Sequence, residues 1–349
     1  MPSDPILVIG DLEFSGWMSV SITRSLESFA GSFSLSVSER WTESGERIAI
    51  NDEDPCRVVV SGETLISGFI DRRSVSVSST ERKFTISGRD KSAVLADCSA
   101  NPETYRRATA LDIASSVSKQ FGVTVTSDNN LSKSKIDRVV VNPGDSAFDV
   151  ISRVAKESGL LAVSNHRGGL LLTRSGSRLA SPVTEGDNVI SASADFNVSS
   201  RFRRYVVGTQ IPGDDNTNGL ATSVKAVAVD ESVRRSNRVK IIRPDLGMSR
   251  KFASRFADWS ARTAAAKSAS VTVIVAGWTQ SDGKVWPINA VVPVHIPSID
   301  VSGDMLISET VLSIGVSGEL TTMRLVRPDA FTPEPSATVL GSGESWRGA

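Results

Sequence analysis

Apolar and polar side chains alternate along the N-terminal part of the chain. In residues 18–22 and again in 33–38 every second residue is apolar, and serine stands at the positions between them. A period of two predicts antiparallel strands with one buried face. Turn-forming glycine, asparagine and aspartate, among them Asn51-Asp52 and Gly62, separate the runs. Six or seven short strands at this spacing predict a small β-barrel or sandwich.

A helical period replaces the alternation in the middle of the chain. Residues 108–120 carry an apolar stripe that predicts a helix, and Asp145 or Ser146 can cap a second one. Two apolar runs follow, at 160–163 and 169–173, with a polar, glycine-containing turn between them. They predict a hairpin, and the whole segment predicts a compact α+β module.

Strand patterns return from about Val189, and the longest helix prediction, 251–267, interrupts them. A polar, turn-rich loop at 212–218 predicts local mobility. The predicted fold class is α+β, mainly β: two similar small antiparallel β-barrels, with an α+β module between them and a helix-bearing insertion in the second barrel. The predicted boundaries are 1–92 for the first barrel, 93–178 for the helix–hairpin module, 179–213 for the start of the second barrel, 214–269 for the loop and helix insertion, 270–331 for the rest of that barrel, and 332–349 for an extended or disordered C-terminal arm.

Composition and charge narrow the function class. The 39 lysines and arginines balance 39 aspartates and glutamates, which argues against a dedicated nucleic-acid binder. Cys56 and Cys98 match no metal or redox spacing, and we expect both to be reduced. No apolar run approaches the roughly 20 residues that span a bilayer, and the N-terminus has no signal-peptide pattern. We therefore expect synthesis and folding in a cytoplasm, without membrane insertion.

Candidate chemistry is sparse. The two histidines are His166, in a predicted hairpin tip, and His295, in a predicted strand, and both contexts favour structural roles. No Walker loop, dinucleotide fingerprint or nucleophile elbow is present. The Asp214-Asp215 pair lies in a polar loop, and Asp52–Asp54 lacks the spacing of a calcium loop. The sequence therefore predicts no catalytic residue, cofactor or metal site, and no enzyme activity.

Basic residues cluster at 201–204 and 234–240. Arginines on a strand are most often solvated or salt-bridged, although such dense groups can also meet acidic partners or line a passage for DNA. Trp41, Arg203 and Arg204 are the candidate interface or channel residues.

Four segments carry a resemblance to a known family. Trp17–Arg40 resembles the first hairpin of Mu-like bacteriophage baseplate hub proteins (the tail protein P and late control protein D superfamily), with its Arg-Ser-Leu-Glu turn and Phe-x-Leu strand. Val58–Asp90 looks similar to the next part, including Gly-Phe-Ile-Asp and Gly-Arg-Asp. Asn142–Gly169 is similar to the helix–hairpin unit, and Trp286–Phe331 to the closing barrel. The match runs in order from about residue 6 to 331, and it is poorest over 215–251.

The resemblance implies a structural function in a contractile phage tail. Hub proteins of this family form homotrimers whose two barrels per subunit make a pseudo-sixfold ring, and the hub part of type VI secretion spike proteins shares the fold. Such a ring adapts the sixfold tail tube to the threefold central spike and leaves a channel for DNA ejection. The implied partners are the spike, the tail tube or its distal adaptors, the tape measure protein and the baseplate wedge proteins. A barrel edge without a partner strand would be satisfied by ring closure. We expect the channel lining to be polar rather than strongly basic, because tight phosphate binding would slow ejection.

Two other function classes stay open at this point. One is a receptor- or carbohydrate-binding protein at the tail tip, in which some of the six tryptophans stack on sugars. The other is a hub associated with cell-wall hydrolysis, which needs an additional catalytic acid. Core packing is the simpler expectation for Trp17, Trp278 and Trp286.

Overall fold

A computed structural model of the chain describes residues 5–39, 50–79, 82–128, 134–210, 223–243, 250–315 and 318–335. Three of the sequence-based predictions lie outside this part of the chain: the mobile loop at 212–218, Trp41, and all of the C-terminal arm beyond residue 335. None of the helices in the described ranges is both long and apolar enough to cross a membrane.

The N-terminal part forms seven strands, in the region where the sequence alternates. They are β1 (Ile6–Ile9), β2 (Leu12–Phe14), β3 (Ser19–Ser25), β4 (Ser32–Glu39), β5 (Pro55–Val60), β6 (Glu63–Val77) and β7 (Arg82–Asp90). All pair antiparallel, in the order β3-β4-β7-β6-β5-β1-β2. Val20, Ile22, Phe33 and Leu35 point into the core, and serines alternate with them along both strands.

The middle of the chain is the predicted α+β module. Its elements are α1 (Val94–Asp97), β8 (Thr104–Thr109), α2 (Ala110–Lys119), β9 (Val125–Ser127), β10 (Lys135–Val140), α3 (Ala147–Glu157), β11 (Leu161–Ser164) and β12 (Leu170–Thr173). Both predicted helices and the hairpin β11–β12 are confirmed, and the Ser146 side chain caps α3 by accepting from the backbone N–H of Asp149. Strands β8 and β10 and the parallel pairing of β9 with β12 were not predicted, because these short strands show little alternation.

The C-terminal part contains the remaining strands and the longest helix. They are β13 (Arg178–Leu179), β14 (Val183–Thr184), β15 (Val189–Phe196), β16 (Arg204–Gln210), β17 (Ser223–Val229), β18 (Val239–Ile242), α4 (Arg250–Lys267), β19 (Ala269–Ala276), β20 (Ala290–Ile296), β21 (Val301–Gly315) and β22 (Gly318–Val326). The predicted helix at 251–267 is confirmed as α4.

One sheet joins the two ends of the chain. Strand β21 pairs antiparallel with β22 and, on its other side, with β3, where Glu309 lies opposite Ser25 and Ile314 opposite Val20. The resulting 14-stranded sheet runs from β15 to β2, with β20 attached to β21 and both β13 and β14 attached to β20. Trp278, Val285 and Leu312 from the C-terminal part lie in the same core as the N-terminal strands.

The mainly β, α+β class is confirmed, but two separate closed barrels are not. Within the described residues, no strand pairing closes either half, and the path has free ends at β15 and β2. Alternation identifies which side chains are buried in a strand but not which strand lies next to it. It therefore could not reveal that β3 and β21 pair with each other.

A small sheet stands apart from the large one. Strands β17, β16 and β18 form it, with β16 antiparallel to β17 and parallel to β18. Its inner face, with Tyr205 and Val207, packs on Phe252 and Phe256 of α4. The strand predicted at 203–208 is therefore present, but it belongs to this sheet rather than to the large one.

Strands β6 and β7 approach each other closely at two glycines. A Cβ atom on Gly68 would lie 1.8 Å from the carbonyl oxygen of Arg89, and one on Gly88 would lie 2.2 Å from that of Phe69. Both distances are far below van der Waals contact. These glycines belong to the Gly-Phe-Ile-Asp and Gly-Arg-Asp segments of the sequence, so the motif is explained by strand packing.

Asp90, at the end of β7, holds two neighbouring segments. Its carboxylate accepts hydrogen bonds from the backbone N–H of Gly31 at 2.7 Å and of Ser67 at 3.2 Å. Burial raises the pKa of Asp90 to about 6, although both hydrogen bonds and the charge of Arg24 lower it. The Asp90 side chain thus connects two backbone segments by hydrogen bonds, although burial makes its ionisation unfavourable.

Replacing Gly68 with alanine should separate β6 from β7. We expect Gly68→Ala to lower the free energy of unfolding by about 3 kcal/mol or more, because backbone atoms must move apart. Gly208→Ala is the matched control, since a Cβ there meets nothing within 4 Å. Urea unfolding of both variants measures this, and equal stabilities would contradict the packing argument.

Asp90 should also make stability depend on pH. The pKa of Asp90 is about 6 in the folded chain and about 3.9 in the unfolded chain. The protonated side chain therefore contributes fully to the free energy of unfolding below about pH 3.9, and this contribution is lost as the pH rises through about 6. Relative to Asp90→Asn, which has no carboxyl group to titrate, the native chain should lose up to about 3 kcal/mol of stability between about pH 3.5 and 7. Urea unfolding of both proteins across this range measures the difference, and a constant difference would refute the assignment.

Candidate assembly interface

The candidate residues Arg203 and Arg204 lie next to each other but have different environments. The Arg203 guanidinium donates to the carboxylate of Glu231 at 2.5 Å and to its carbonyl oxygen at 2.7 Å. Arg204, at the start of β16, is exposed, and within the described residues its side chain has neither a hydrogen bond nor an ion pair. Of these two arginines, Arg204 is the one without an ion pair within the described residues.

Two further arginines of the basic groups, Arg201 and Arg238, make contacts within the chain around the small sheet. Arg201 forms a largely buried ion pair with Asp230, with 2.6 Å between Nη2 and Oδ2. Arg238 donates to the carbonyl oxygens of Ser199 and Arg201, and its guanidinium lies 5.0 Å from the centre of the Phe202 ring. Arg201, Arg203 and Arg238 therefore belong to a network within the chain, whereas Arg204, Arg234 and Arg235 of the two basic groups are exposed.

Asp230 is the acidic centre of this network. Burial raises its pKa, but hydrogen bonds from Ser232 and Arg201 outweigh that effect and hold the pKa below its usual range. The carboxylate therefore stays charged at neutral pH, and the ion pair persists. The pair joins the segment that precedes β16 to the residue that follows β17.

The outer face of the small sheet is apolar and exposed. We use "outer face" for Arg204, Val206, Val227, Val229, Val239 and Ile241. Strand register places Val227, Val206 and Ile241 in one row, and Val229, Arg204 and Val239 in the next. Val227, Val229 and Val239 are 41 to 49% exposed and Ile241 is 68% exposed. Contiguous exposed apolar side chains of this kind mark interaction surfaces.

This face was not predicted from the sequence. The segment 214–269 was predicted as a loop and helix insertion, so strands β17 and β18 were missed, and the alternation in β17 gives no sign of which side is covered. Ala226 and Ala228 pack on α4 while the larger valines face outward. The small size of the inward-facing residues is the one signal that could have revealed the orientation.

Two of the remaining candidates for chemistry, His295 and Asp52, form structural contacts, and the Asp214-Asp215 pair lies outside the described residues. His295 lies in β20 and its Nδ1 is 3.1 Å from the Ser302 hydroxyl, while Asp52 pairs with Arg73 at 2.9 Å. No group of three potential metal ligands occurs in the part of the chain that the structure describes. Both cysteines are free, as expected, and burial raises the pKa of the Cys56 thiol to about 12.

The tryptophans do not form a sugar-stacking surface in the described residues. Trp17, Trp278 and Trp286 are buried, as core packing predicts, and the Trp259 indole donates to the carbonyl oxygen of Thr332 at 2.7 Å. The carbohydrate-binding alternative has no support from these side chains.

Comparisons with known proteins match nearly the whole chain. Residues 6–90 match the family "Mu phage baseplate assembly protein GpP-like, N-terminal", residues 92–174 match "Baseplate hub protein gp44-like, second domain", and residues 233–334 match "Mu phage baseplate assembly protein GpP, fourth domain". The three matches are in chain order and include the segments in which the sequence shows the resemblance.

Individual relatives agree with these matches. The baseplate hub protein gp44 of Escherichia phage Mu is 28% identical over 326 residues, which are 90% of this chain and 85% of that protein. The 43 kDa tail protein of prophage MuSo2 from Shewanella oneidensis is similar in structure, with a TM-score of 0.83, 28% identity, and 95% of this chain and 99% of that chain covered.

A more distant likeness extends the fold beyond phages. The E. coli c3393 protein, a component of the type VI secretion system, has a TM-score of 0.57 at 11% identity, with 92% of this chain and 76% of that chain covered. Because three family matches follow one another along most of the chain, and a full-length Mu relative agrees with them, the chain belongs to the Mu-like family of phage baseplate hub proteins and is a component of the virion tail.

Proposed function

We propose that this protein forms a trimeric ring in the baseplate of a contractile tail, joins the sixfold tail tube to the threefold central spike, and leaves a channel for DNA. The observation that carries the proposal is the joined sheet: strand sets from the two ends of the chain meet at β3 and β21 in a single chain. Three copies would place six such sets around an axis.

The sequence-based domain boundaries are kept as part of the proposal. Each half of the large sheet has its own core, one around Leu35 and Ile86 and one around Val273 and Leu325. Two cores per chain are what a pseudo-sixfold ring of three subunits needs. The protein would act by geometry, without catalysis or a cofactor.

Partners follow from the relatives. One structural neighbour is the Francisella PdpA–VgrG complex, in which VgrG and PdpA assemble with each other. By analogy, we propose that the ring binds the central spike on one side and the tail tube or its distal adaptors on the other. Contacts with the tape measure and wedge proteins, and assembly in the host cytoplasm, belong to the same proposal.

The outer face of the small sheet is the surface we assign to the contact with the next copy. Its valines and Ile241 are exposed in the single chain, and burying them would release apolar area from water. Arg204, in the middle of one row, has no acidic partner of its own in the described residues and would pair with an acidic residue of the neighbouring subunit. Arg203 would act indirectly, by holding the loop at Glu231.

The first prediction of this proposal is the mass of the purified protein in solution. Light scattering on a size-exclusion column, over a dilution series, should give about three times the 37.2 kDa of one chain. A mass that stays at one chain throughout the series would contradict a self-assembled ring. Addition of the purified spike protein would then test whether the ring closes only on that partner.

The second prediction concerns the outer face. Ile241→Asp should convert the trimer to monomers, because the contact would bury an unpaired carboxylate, and it should leave thermal unfolding of the monomer nearly unchanged, since the side chain is 68% exposed. Leu179→Asp, at a side chain 83% exposed on β13, is the matched control and should remain trimeric. A trimeric Ile241→Asp protein would exclude this face as the subunit contact.

A further inference from the structure

A cavity of about 320 Å³ lies where three parts of the chain meet. Strands β3 and β6 contribute Arg24 and Leu65, the hairpin β11–β12 contributes Val163 and His166, and the segment before β20 contributes Trp286. The volume is at the lower end of the range for small-molecule sites. No role in the proposed ring accounts for this cavity.

Two hydrogen-bond donors of this cavity have no acceptor. The Nε atom of Arg24 and the indole Nε1 of Trp286 are both buried, and neither has a hydrogen-bond partner within the described residues. Arg24 also forms no ion pair there. Buried donors without acceptors destabilise the folded state, and the cost is larger for a charged group. Two such donors in the lining of one cavity indicate that the cavity takes an acceptor from outside.

The charges around Arg24 favour an anion. Arg178 lines the same cavity and adds a second positive charge, whereas burial and the positive charges of Arg167, Arg24 and Arg178 lower the pKa of His166, so its ring is uncharged at neutral pH. Glu63, the acidic residue of the lining, is exposed. Asp90 is the strongest negative charge acting on Arg24, but its carboxylate accepts hydrogen bonds from the backbone of Gly31 and Ser67 and none from the Arg24 guanidinium within the described residues.

The walls of the cavity restrict the kind of anion. Leu65, Val163, Leu171, Val285 and Ile288 make a large part of the lining apolar. A compact inorganic anion such as phosphate would leave these side chains uncovered, whereas a carboxylate attached to an apolar body would cover them. A planar carboxylate also matches the fork of donors on a guanidinium.

We propose that this cavity binds a carboxylate carried on an apolar body, with the Arg24 guanidinium and the Trp286 indole as its donors. The carboxylate could come from a free organic acid or from an acidic side chain on a polypeptide that docks there. This binding site does not depend on the proposed ring, and it can be tested on the full chain in any oligomeric state.

Isothermal titration calorimetry with four probes tests the proposed site and distinguishes a free organic acid from an acidic side chain on a polypeptide. Benzoate should bind with a Kd on the order of 1 mM. Benzamide, which has the same shape but no charge, and inorganic phosphate, which has no apolar body, should each bind at least about tenfold more weakly. The fourth probe is the capped tripeptide acetyl-Leu-Glu-Leu-amide. Binding of this peptide at least as tight as that of benzoate identifies a polypeptide source, and binding of benzoate alone identifies a free acid.

Variants then connect the affinity to the two donors. Arg24→Met should weaken benzoate binding at least about tenfold, and Trp286→Phe should weaken it by a smaller factor. Arg57→Met, at an exposed arginine on β5 outside the cavity, should not change it. Thermal unfolding checks that each variant is folded. If Arg24→Met fails to fold, the comparison of benzoate with benzamide on the native protein still tests whether the cavity requires a negative charge on the ligand.

Two results would overturn the proposal. One is the absence of binding by both benzoate and the peptide. The other is benzoate binding that is no tighter than benzamide binding, or benzoate binding that Arg24→Met leaves unchanged. In either case the guanidinium would not be the anion-binding group.

Discussion

The structure depends on the antiparallel pairing of β3 with β21. These strands come from opposite ends of the chain, and residues 20 to 25 of one pair with residues 309 to 314 of the other. The pairing gives both strands a neighbour on each side, so neither remains an exposed edge. It also brings Leu312 and Trp278 into the N-terminal core, where the Trp278 indole donates to the carbonyl oxygen of Ser313. Without this junction the chain would be two independent sheets, and a subunit of the proposed ring would have no fixed angle between its halves.

The α+β module and the small sheet are attached to the large sheet that this junction forms. The α+β module has its own core, and its hairpin contacts the large sheet where the Ser67 hydroxyl donates to the carbonyl oxygen of His166. The cavity with Arg24 exists because module, sheet and the segment before β20 meet there without filling the space between them. The small sheet and α4 have a core of their own, and the Arg201–Asp230 pair joins the segment before β16 to the residue after β17. The proposed binding cavity and the proposed assembly surface therefore lie in different parts of the chain.

The basic cluster shows how burial changes the meaning of a sequence feature. In the sequence, Arg201, Arg203 and Arg204 look equivalent. In the folded chain the first is paired with Asp230, the second with Glu231, and the third is exposed on the outer face. A guanidinium that already has a carboxylate partner adds little attraction for a new one, so the number of arginines overstates the charge available to a partner.

The sequence by itself determined the local elements of this protein and, through resemblance, its family. The alternation in β3 and β4, the Ser146 cap and the apolar stripes of α2 and α3 all appear as predicted, because strand and helix periods are properties of neighbouring residues. The tertiary structure alone decided which strands pair across the chain, which face of the small sheet is covered, and that Arg24 and Trp286 line one cavity. Those outcomes depend on contacts between residues that are far apart in the sequence, and no local pattern of side chains encodes such a contact. The joined sheet, the outer face and the candidate binding site therefore emerged only from the folded chain.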